Sequence, residues 1–250
     1  MDTDVLNKAN IHNLTSLWKK MGVEQPSQFT RNQSLFQSIS WPNRYWSDWD
    51  AETGQVSELA KAVIKLPEKG ILPIWHGAAE TPGLLEQLLI DNGFTISFEQ
   101  TAMYLDLTSH AVRECRPTDV SRISSLEEVE VWAKVSSEAF AYDIDAAVIH
   151  KVAADPGVQL LLTRSQGQAA ATALLYRTAD VIGVHQLGVA KHYQGKGIAS
   201  SLMQYIIRTC KDWNGRYIVL QASAEAESLY LRLGFNQQFR IRNYQRKYAL

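Results

Sequence analysis

The feature that most constrains this chain is a joint. An apolar, strand-like run, Val181–Val189, passes into an amphipathic run from Ile198 through the segment "AKHYQGKG". Beyond the joint, Ile198, Leu202, Ile206 and Cys210 recur on one stripe, which predicts a helix. Two glycines one residue apart, Gly195 and Gly197, allow left-handed backbone and a close approach by a ligand. The first turn of a helix has uncommitted N–H donors, and with the helix dipole they favour an anion. Lys191, His192 and Lys196 add positive charge beside them. The pattern is a cradle for a phosphate or diphosphate.

Spacing excludes two better-known cradles. A Walker A loop needs a glycine five residues before the Gly-Lys pair and a Ser or Thr after it, but Ala190 and Gly197 stand at those places. A dinucleotide fingerprint needs a third glycine where Ser200 stands. The plain alternative is a loop with two turn glycines.

The surroundings predict a mixed sheet. Three strand-like runs, "VQLLLTR", "AAATALLYR" and "VIGVHQLGV", are separated by turn residues at Gln166-Gly167 and Ala179-Asp180. Ahead of them "AVREC" reads as a short strand closed by Arg116-Pro117, with Thr118 as a helix N-cap. Val129, Trp132, Ala133 and Phe140 then recur at helical spacing. After the joint the helix stops at Asn214-Gly215. A strand "YIVLQAS" and a helix "AEAESLYLRLG" follow, and "FNQQFRIRNYQRKYAL" has room for two more strands. The predicted order is β-α-β-β-β-α-β-α-β-β, an α/β chain with helices flanking a mixed sheet.

Composition narrows the partners. With 25 basic and 26 acidic residues the net charge is -1, which argues against a nucleic-acid binder working through bulk positive charge. No apolar run approaches the ~20 residues of a membrane span, and the N-terminus has no secretory h-region. Cys115 and Cys210 lack metal-type spacing and fit a reduced compartment. The expectation is a cytoplasmic protein without metal, nucleic-acid or membrane partner, of open oligomeric state.

Residues His192-Tyr193-Gln194-Gly195-Lys196-Gly197 resemble the acyl-CoA loop of the GNAT superfamily of N-acetyltransferases, Arg/Gln-x-x-Gly-x-Gly/Ala. His192 departs from the first position. The resemblance spans about Ala111 to Tyr248 and includes "HQLGVA", "LQAS" and "LYLRLGF". It implies a GNAT-like fold for 111–250, with acetyl-CoA as acyl donor and a small-molecule or peptide amine as acceptor. It also implies that His192, Gln194, Gly195, Lys196, Gly197, Ile198 and Ala199 bind the CoA diphosphate, with the loop amides as its holders. Leu187 and Val189 would pair with the pantetheine arm, with Gly188 between them as a bulge or a close approach. Tyr230, in the resembled family's place for the group that protonates the CoA sulfur, has a competing reading as a core aromatic.

A base is harder to name. His185 lies on the face of Leu187 and Val189 by strand alternation, and its ordinary pKa suits proton abstraction, although a histidine satisfied within a sheet is the commoner outcome. Glu138 and Tyr142 are candidates to line the acceptor site. Gly183 and Val184 stand where the resembled family has an acid or polar group, so catalysis would rest on water and positioning. That gap keeps a second class open, a non-catalytic acyl-CoA-binding or scaffold protein of the same fold.

Residues 1–108 read as a degenerate, partial copy of the fold without a CoA loop. Leu14, Leu17, Trp18 and Met21 predict a helix, as do Val56, Leu59, Ala60, Val63 and Ile64. "SLFQSISWPNRYWSDW" is strand material broken at Pro42-Asn43, and "ILPIWH" is a strand. "TPGLLEQLLIDNGF" is a helix with Thr81 as N-cap, Pro82 at its first position and Gly93 at its stop. It mirrors "AESLYLRLGF", since both end in Gly-Phe before strand-like sequence. Where a second loop would fall, "SDWDAETGQ" has one glycine and three acids, which repel a diphosphate. Trp41, Tyr45, Trp46 and Trp49, among Arg44, Asp48 and Asp50, either pack a core or wall a cationic or aromatic acceptor.

Overall fold

A computed structural model describes residues 3–30, 33–46, 70–75, 83–110 and 119–246. In chain order its elements are α1 (Thr3–Met21), β1 (Val23–Thr30), β2 (Gln33–Ser38), β3 (Tyr45–Trp46), β4 (Leu72–Ile74), α2 (Leu84–Asp91) and β5 (Phe94–Asp106). Then come β6 (Asp119–Ile123), α3 (Leu126–Phe140), α4 (Ala146–Ala153), β7 (Val158–Ser165), β8 (Gln168–Thr178) and β9 (Val181–Val189). The last are α5 (Ile198–Asp212), β10 (Tyr217–Ser223), α6 (Ala224–Arg232) and β11 (Asn236–Arg246). The class is mixed α/β, as expected.

The chain forms two compact units. One comprises Met1–Ala102, Ala222–Glu225 and Gln237–Leu250; the other comprises Met103–Gln221 and Ala226–Asn236.

In the first unit, α1 accompanies an antiparallel sheet of order β1-β2-β3, and other strands pair in the order β4-β11-β5. The aromatic cluster is packing. Trp46 is fully buried, with Trp18 edge-on at 5.2 Å and Phe36 stacked at 5.6 Å. The Tyr45 ring lies where a Cβ at Gly70 would be, so only glycine fits there. Trp49, Asp48, Asp50, the acidic segment and the helix expected over 56–66 fall outside the described residues. The helix expected from Thr81 and Pro82 begins at Leu84 with Gly83 as N-cap, and the two earlier residues also lie outside. The buried Glu86 carboxylate accepts from the Gly83 N–H at 2.9 Å, the Tyr244 hydroxyl at 2.9 Å and Arg242 at 3.2 Å. These bonds tie the end of β11 to α2.

In the second unit the order is β5-β10-β9-β8-β7-β6. β6, β7, β8 and β9 pair antiparallel in sequence, and β10 runs parallel to β9. Turns at Gln166-Gly167 and Ala179-Asp180 join them, with Gln166, Gly167 and Ala179 at positive φ. Trp132 on α3 is fully buried and donates its indole N–H to the Leu161 carbonyl at 3.0 Å, which fixes the helix on the sheet.

Three expectations for residues 111–250 are corrected. Residues 119–123 form strand β6, whose register on apolar β7 overrides the helix start read at Thr118. The N-cap is Ser125, which accepts from the Glu128 N–H at 3.3 Å, and "AVREC" lies outside the described residues. Helix α4, not foreseen, is capped by Asp145, whose carboxylate accepts from Ala147 and Val148. The C-terminal segment is one strand, because Phe239, Ile241 and Tyr244 stay buried along it without a turn.

The mirrored runs β4-α2-β5 and β10-α6-β11 share a helix-stop glycine, Gly93 at φ 81° and Gly234 at φ 89°, each followed by a buried phenylalanine.

Candidate functional site

The parallel pair of strands splays. Among the described residues β10 pairs with β9 only from Val181 to Gly183, opposite Tyr217 to Val219. β9 continues to Val189 and β10 beyond Val219. From Val184 onward one edge of β9 faces a wedge in place of a neighbouring strand. The wedge opens at the C-terminal ends of both strands, where open sheets bind ligands.

The glycine joint sits at the same end. Lys191–Tyr193 form one 3₁₀ turn, and the Gln194 side chain donates to the Val189 carbonyl at 3.0 Å, holding the loop on the strand end. Gly195 has φ 75°, and Gly197, the N-cap of α5, has φ 80°, both in the left-handed region. No side chain caps α5, and a Cβ at either glycine would meet nothing within 4 Å. Among the described residues no side chain therefore caps the first-turn amides of Ile198 and Ala199. Leu202, Met203, Ile206, Ile207 and Cys210 bury the opposite stripe and fix the helix axis. Lys196 Nζ stands 5.3 Å from the Tyr193 ring centroid, and His192 meets that ring edge-on at 5.3 Å. Lys196 and His192 thus gather around one aromatic.

A bulge interrupts β9. Thr172 pairs with Gly188 and Leu174 with His185, so one residue of β8 opposes Gln186 and Leu187. Gln186 has φ 50° at the bulge's first position, where glycine is usual. Its carbonyl accepts from the buried Thr172 hydroxyl at 3.1 Å, and its side chain hydrogen-bonds the Tyr142 hydroxyl at 3.3 Å. Next to it, a Cβ at Gly188 would fall 2.8 Å from Ala139 Cβ and from the Phe140 ring. Gly188 thus serves the close approach of α3, and the bulge belongs to Gln186 and Leu187.

This bulge corrects the placement of His185. The extra residue reverses alternation, so His185 shares a face with Gly188 and not with Leu187 and Val189. His185 is buried, and burial pushes its pKa down to about 4. It is neutral at physiological pH and a weak base.

Tyr230 is buried on α6 and meets Phe235 edge-on at 5.5 Å. Burial pushes its phenol up to about 12, so it stays protonated. Tyr142 is exposed at the end of α3 and joins the bulge through Gln186, whereas Glu138 is an exposed residue of α3 with no hydrogen bond to that group. Sequence reasoning did not single out Gln186 or Thr172, and placed Phe140 only on a helical stripe. Thr172 had a signal, as the one polar residue within "AAATALL".

Among the described residues no helix is long and apolar enough to cross a membrane, and no cluster of His, Cys, Asp or Glu has the arrangement of a metal site.

The comparisons with known proteins agree with this architecture. No curated protein matches the chain in sequence. A GCN5-related N-acetyltransferase from Kribbella flavida superposes with a TM-score of 0.70 at 17% identity, covering 97% of this chain and 96% of its own. A conserved protein of unknown function from Staphylococcus epidermidis gives 0.58 at 16%, covering 90% and 95%. A GCN5-related N-acetyltransferase from Sphaerobacter thermophilus gives 0.59 at 15%, covering 85% and 76%. At these identities the likeness is one of fold, and it extends along nearly the whole chain. The family model for the acetyltransferase (GNAT) domain matches residues 120–246, the stretch that contains the splayed strands, the bulge and the glycine joint. By that match and by its fold, the chain belongs to the GNAT acetyltransferase family.

Proposed function

We propose that the chain is an N-acetyltransferase that uses acetyl-CoA to acetylate a primary amine of a small-molecule or peptide acceptor. The observation that carries this reading is the uncapped N-terminus of α5, entered through Gly197, beside the stretch of β9 beyond Gly183, where its register with β10 stops. The amides of Gly195 to Ala199 would hold the diphosphate, with Lys196 contributing screened charge and the His192 ring standing at the rim. The edge of β9 from Val189 back to Val184 is about 17 Å long at the usual rise per residue, a reach suited to an extended arm carrying amides. Leu187 and Val189 offer backbone groups along it. Bound acetyl-CoA supplies a thioester carbonyl open to attack by an amine.

This chain's residues would position the acceptor and stabilise charge. Tyr142, Gln186 and, at the rim, Glu138 stand at the acceptor side. Tyr230 acts as the general acid in the sense of a neutral phenol donating to the departing sulfur. A phenol at about 12 loses its proton less readily than an ordinary thiol near 8.5, so donation of a hydrogen bond outweighs full transfer. His185, neutral and shifted down, adds little as a base, and water takes up the amine proton.

Tyr230→Phe should lower kcat about tenfold to a hundredfold while CoA affinity stays within about twofold, since the hydroxyl acts mainly in the transition state. Steady-state kinetics and calorimetry separate the two effects. Unchanged turnover, with chemistry rate-limiting, would return Tyr230 to a purely packing role.

The weak basicity of His185 favours one second reading, a non-catalytic acyl-CoA-binding or scaffold protein. A thiol-release screen with acetyl-CoA over a panel of amines tests both. The enzyme releases thiol with at least one amine. A binder shows calorimetric affinity for CoA and releases none.

A further inference from the structure

The end of α3 is pressed onto β9 and held there. Ala139 Cβ and the Phe140 ring lie 2.8 Å from where a Cβ at Gly188 would be, so α3 meets bare backbone on this strand. Further back, Trp132 fixes the helix through its bond to the Leu161 carbonyl at 3.0 Å. Past the helix Ala141 takes φ 57°, and Tyr142 folds back onto Phe140 with ring centroids 5.8 Å apart. The Tyr142 hydroxyl is tied to the Gln186 side chain at 3.3 Å. Ile144, buried just beyond, donates its N–H to the Ser137 hydroxyl at 2.9 Å and pins the turn. Two aromatic rings therefore cover β9 from Gln186 to Gly188, each held by more than one contact. That stretch lies beyond Gly183, where the register of β9 with β10 stops. The rings wall one face of the wedge.

We propose that Phe140 sets the length of the acyl group that the wedge accepts, admitting acetyl and excluding longer chains. This rests on the acetyl-CoA reading of the wedge. On that reading the pantetheine arm follows the edge of β9, so the acyl group at its end comes to lie under the rings. An acetyl group stops at the methyl next to the thioester carbonyl. A longer chain has to enter the space that Phe140 fills, and a close-packed site yields little to extra methylenes. The anchors at Trp132 and Ile144 resist the outward movement of α3 that would make room. Phe140 moves no proton. It decides which thioester fits.

The test is calorimetry on the full-length protein with CoA, acetyl-CoA and butyryl-CoA, which needs no turnover. Wild type should bind butyryl-CoA about tenfold or more weakly than acetyl-CoA, the size of effect that a misfit methylene has in an apolar pocket. Phe140→Ala should bring the two affinities within about threefold. Phe140→Leu, which keeps part of the bulk, should fall between. Val131→Ala, on the exposed side of α3, should keep the wild-type ratio. Thermal denaturation establishes that each variant is folded. The proposal is overturned if wild type binds both thioesters equally, or if folded Phe140→Ala keeps the discrimination. It is also overturned if Val131→Ala loses the discrimination, which would assign the effect to a general loosening of α3. Should Phe140→Ala fail to fold, an unchanged ratio in Phe140→Leu overturns it as well. Affinity for none of the three probes removes the acetyl-CoA reading and this proposal with it. Length discrimination without thiol release toward any amine supports the role of Phe140 and counts against the transferase alone.

Discussion

A Gly197→Val variant should remain folded and lose about a hundredfold or more in affinity for CoA. Gly197 has φ 80°, and a β-branched residue held there costs roughly 1–3 kcal/mol, so the loop relaxes out of the left-handed region. The relaxation is local. A Cβ at this position meets nothing within 4 Å, and α5 stays anchored by Leu202, Met203, Ile206, Ile207 and Cys210. Moving the first-turn amides forfeits two or so hydrogen bonds to a charged group, each worth about 1.5–3 kcal/mol. That sum is the source of the hundredfold. Gly195→Val should behave alike, because φ is 75° there. Lys196→Ala should weaken binding only a fewfold, since its charge is exposed and screened. Calorimetry on proteins shown by thermal denaturation to be folded makes the measurement. Unchanged CoA affinity in folded Gly197→Val would remove the diphosphate from this loop.

The second large effect is acid destabilisation centred on His185. Its folded pKa is about 4 against an ordinary 6.5, because burial disfavours the charged ring. Between those values the unfolded chain binds a proton that the native chain excludes, so stability rises with pH through this window. From above pH 6.5 to below pH 4 the loss is about 3 kcal/mol, taken from the shift at 1.36 kcal/mol per unit. No such change is expected from this group above pH 7. Urea denaturation from pH 7 to pH 4.5 should show the decline in wild type and a flatter profile in His185→Leu. An equally steep decline in a folded His185→Leu variant would assign the effect to other groups.

Much of the second unit is legible in the residues alone. The periods of "VQLLLTR", "AAATALLYR" and "VIGVHQLGV" and the turn residues between them give three strands where the structure has β7, β8 and β9. The stripe from Ile198 to Cys210 gives α5, and Gly195 and Gly197 take the left-handed conformation their placement implies. These features are local, and backbone preference or burial period expresses them without a partner. Helix α4 has a local signal as well, Asp145 ahead of an apolar run.

Other features needed the fold. His185 was placed with Leu187 and Val189 because alternation assumes an unbroken strand, and nothing in "HQLG" announces that Gln186 will take φ 50°. The conformation is supplied by Thr172 and Tyr142, which lie 14 and 44 residues away in sequence. Residues 119–123 became a strand because β7 offered them an edge, against their own weak helix-start signal. The aromatic residues Tyr45 and Trp46 were ambiguous between packing and binding until Trp18, Phe36 and Gly70 were brought against them. By itself, then, the sequence determined the strand–glycine–helix joint, since dihedral freedom and helix polarity belong to consecutive residues. Only the tertiary structure decided where β9 and β10 part and which way the Gln186–Leu187 peptide turns. Strand pairing and bulge register are set by hydrogen bonds and packing between segments distant in the chain, and no local pattern carries that information.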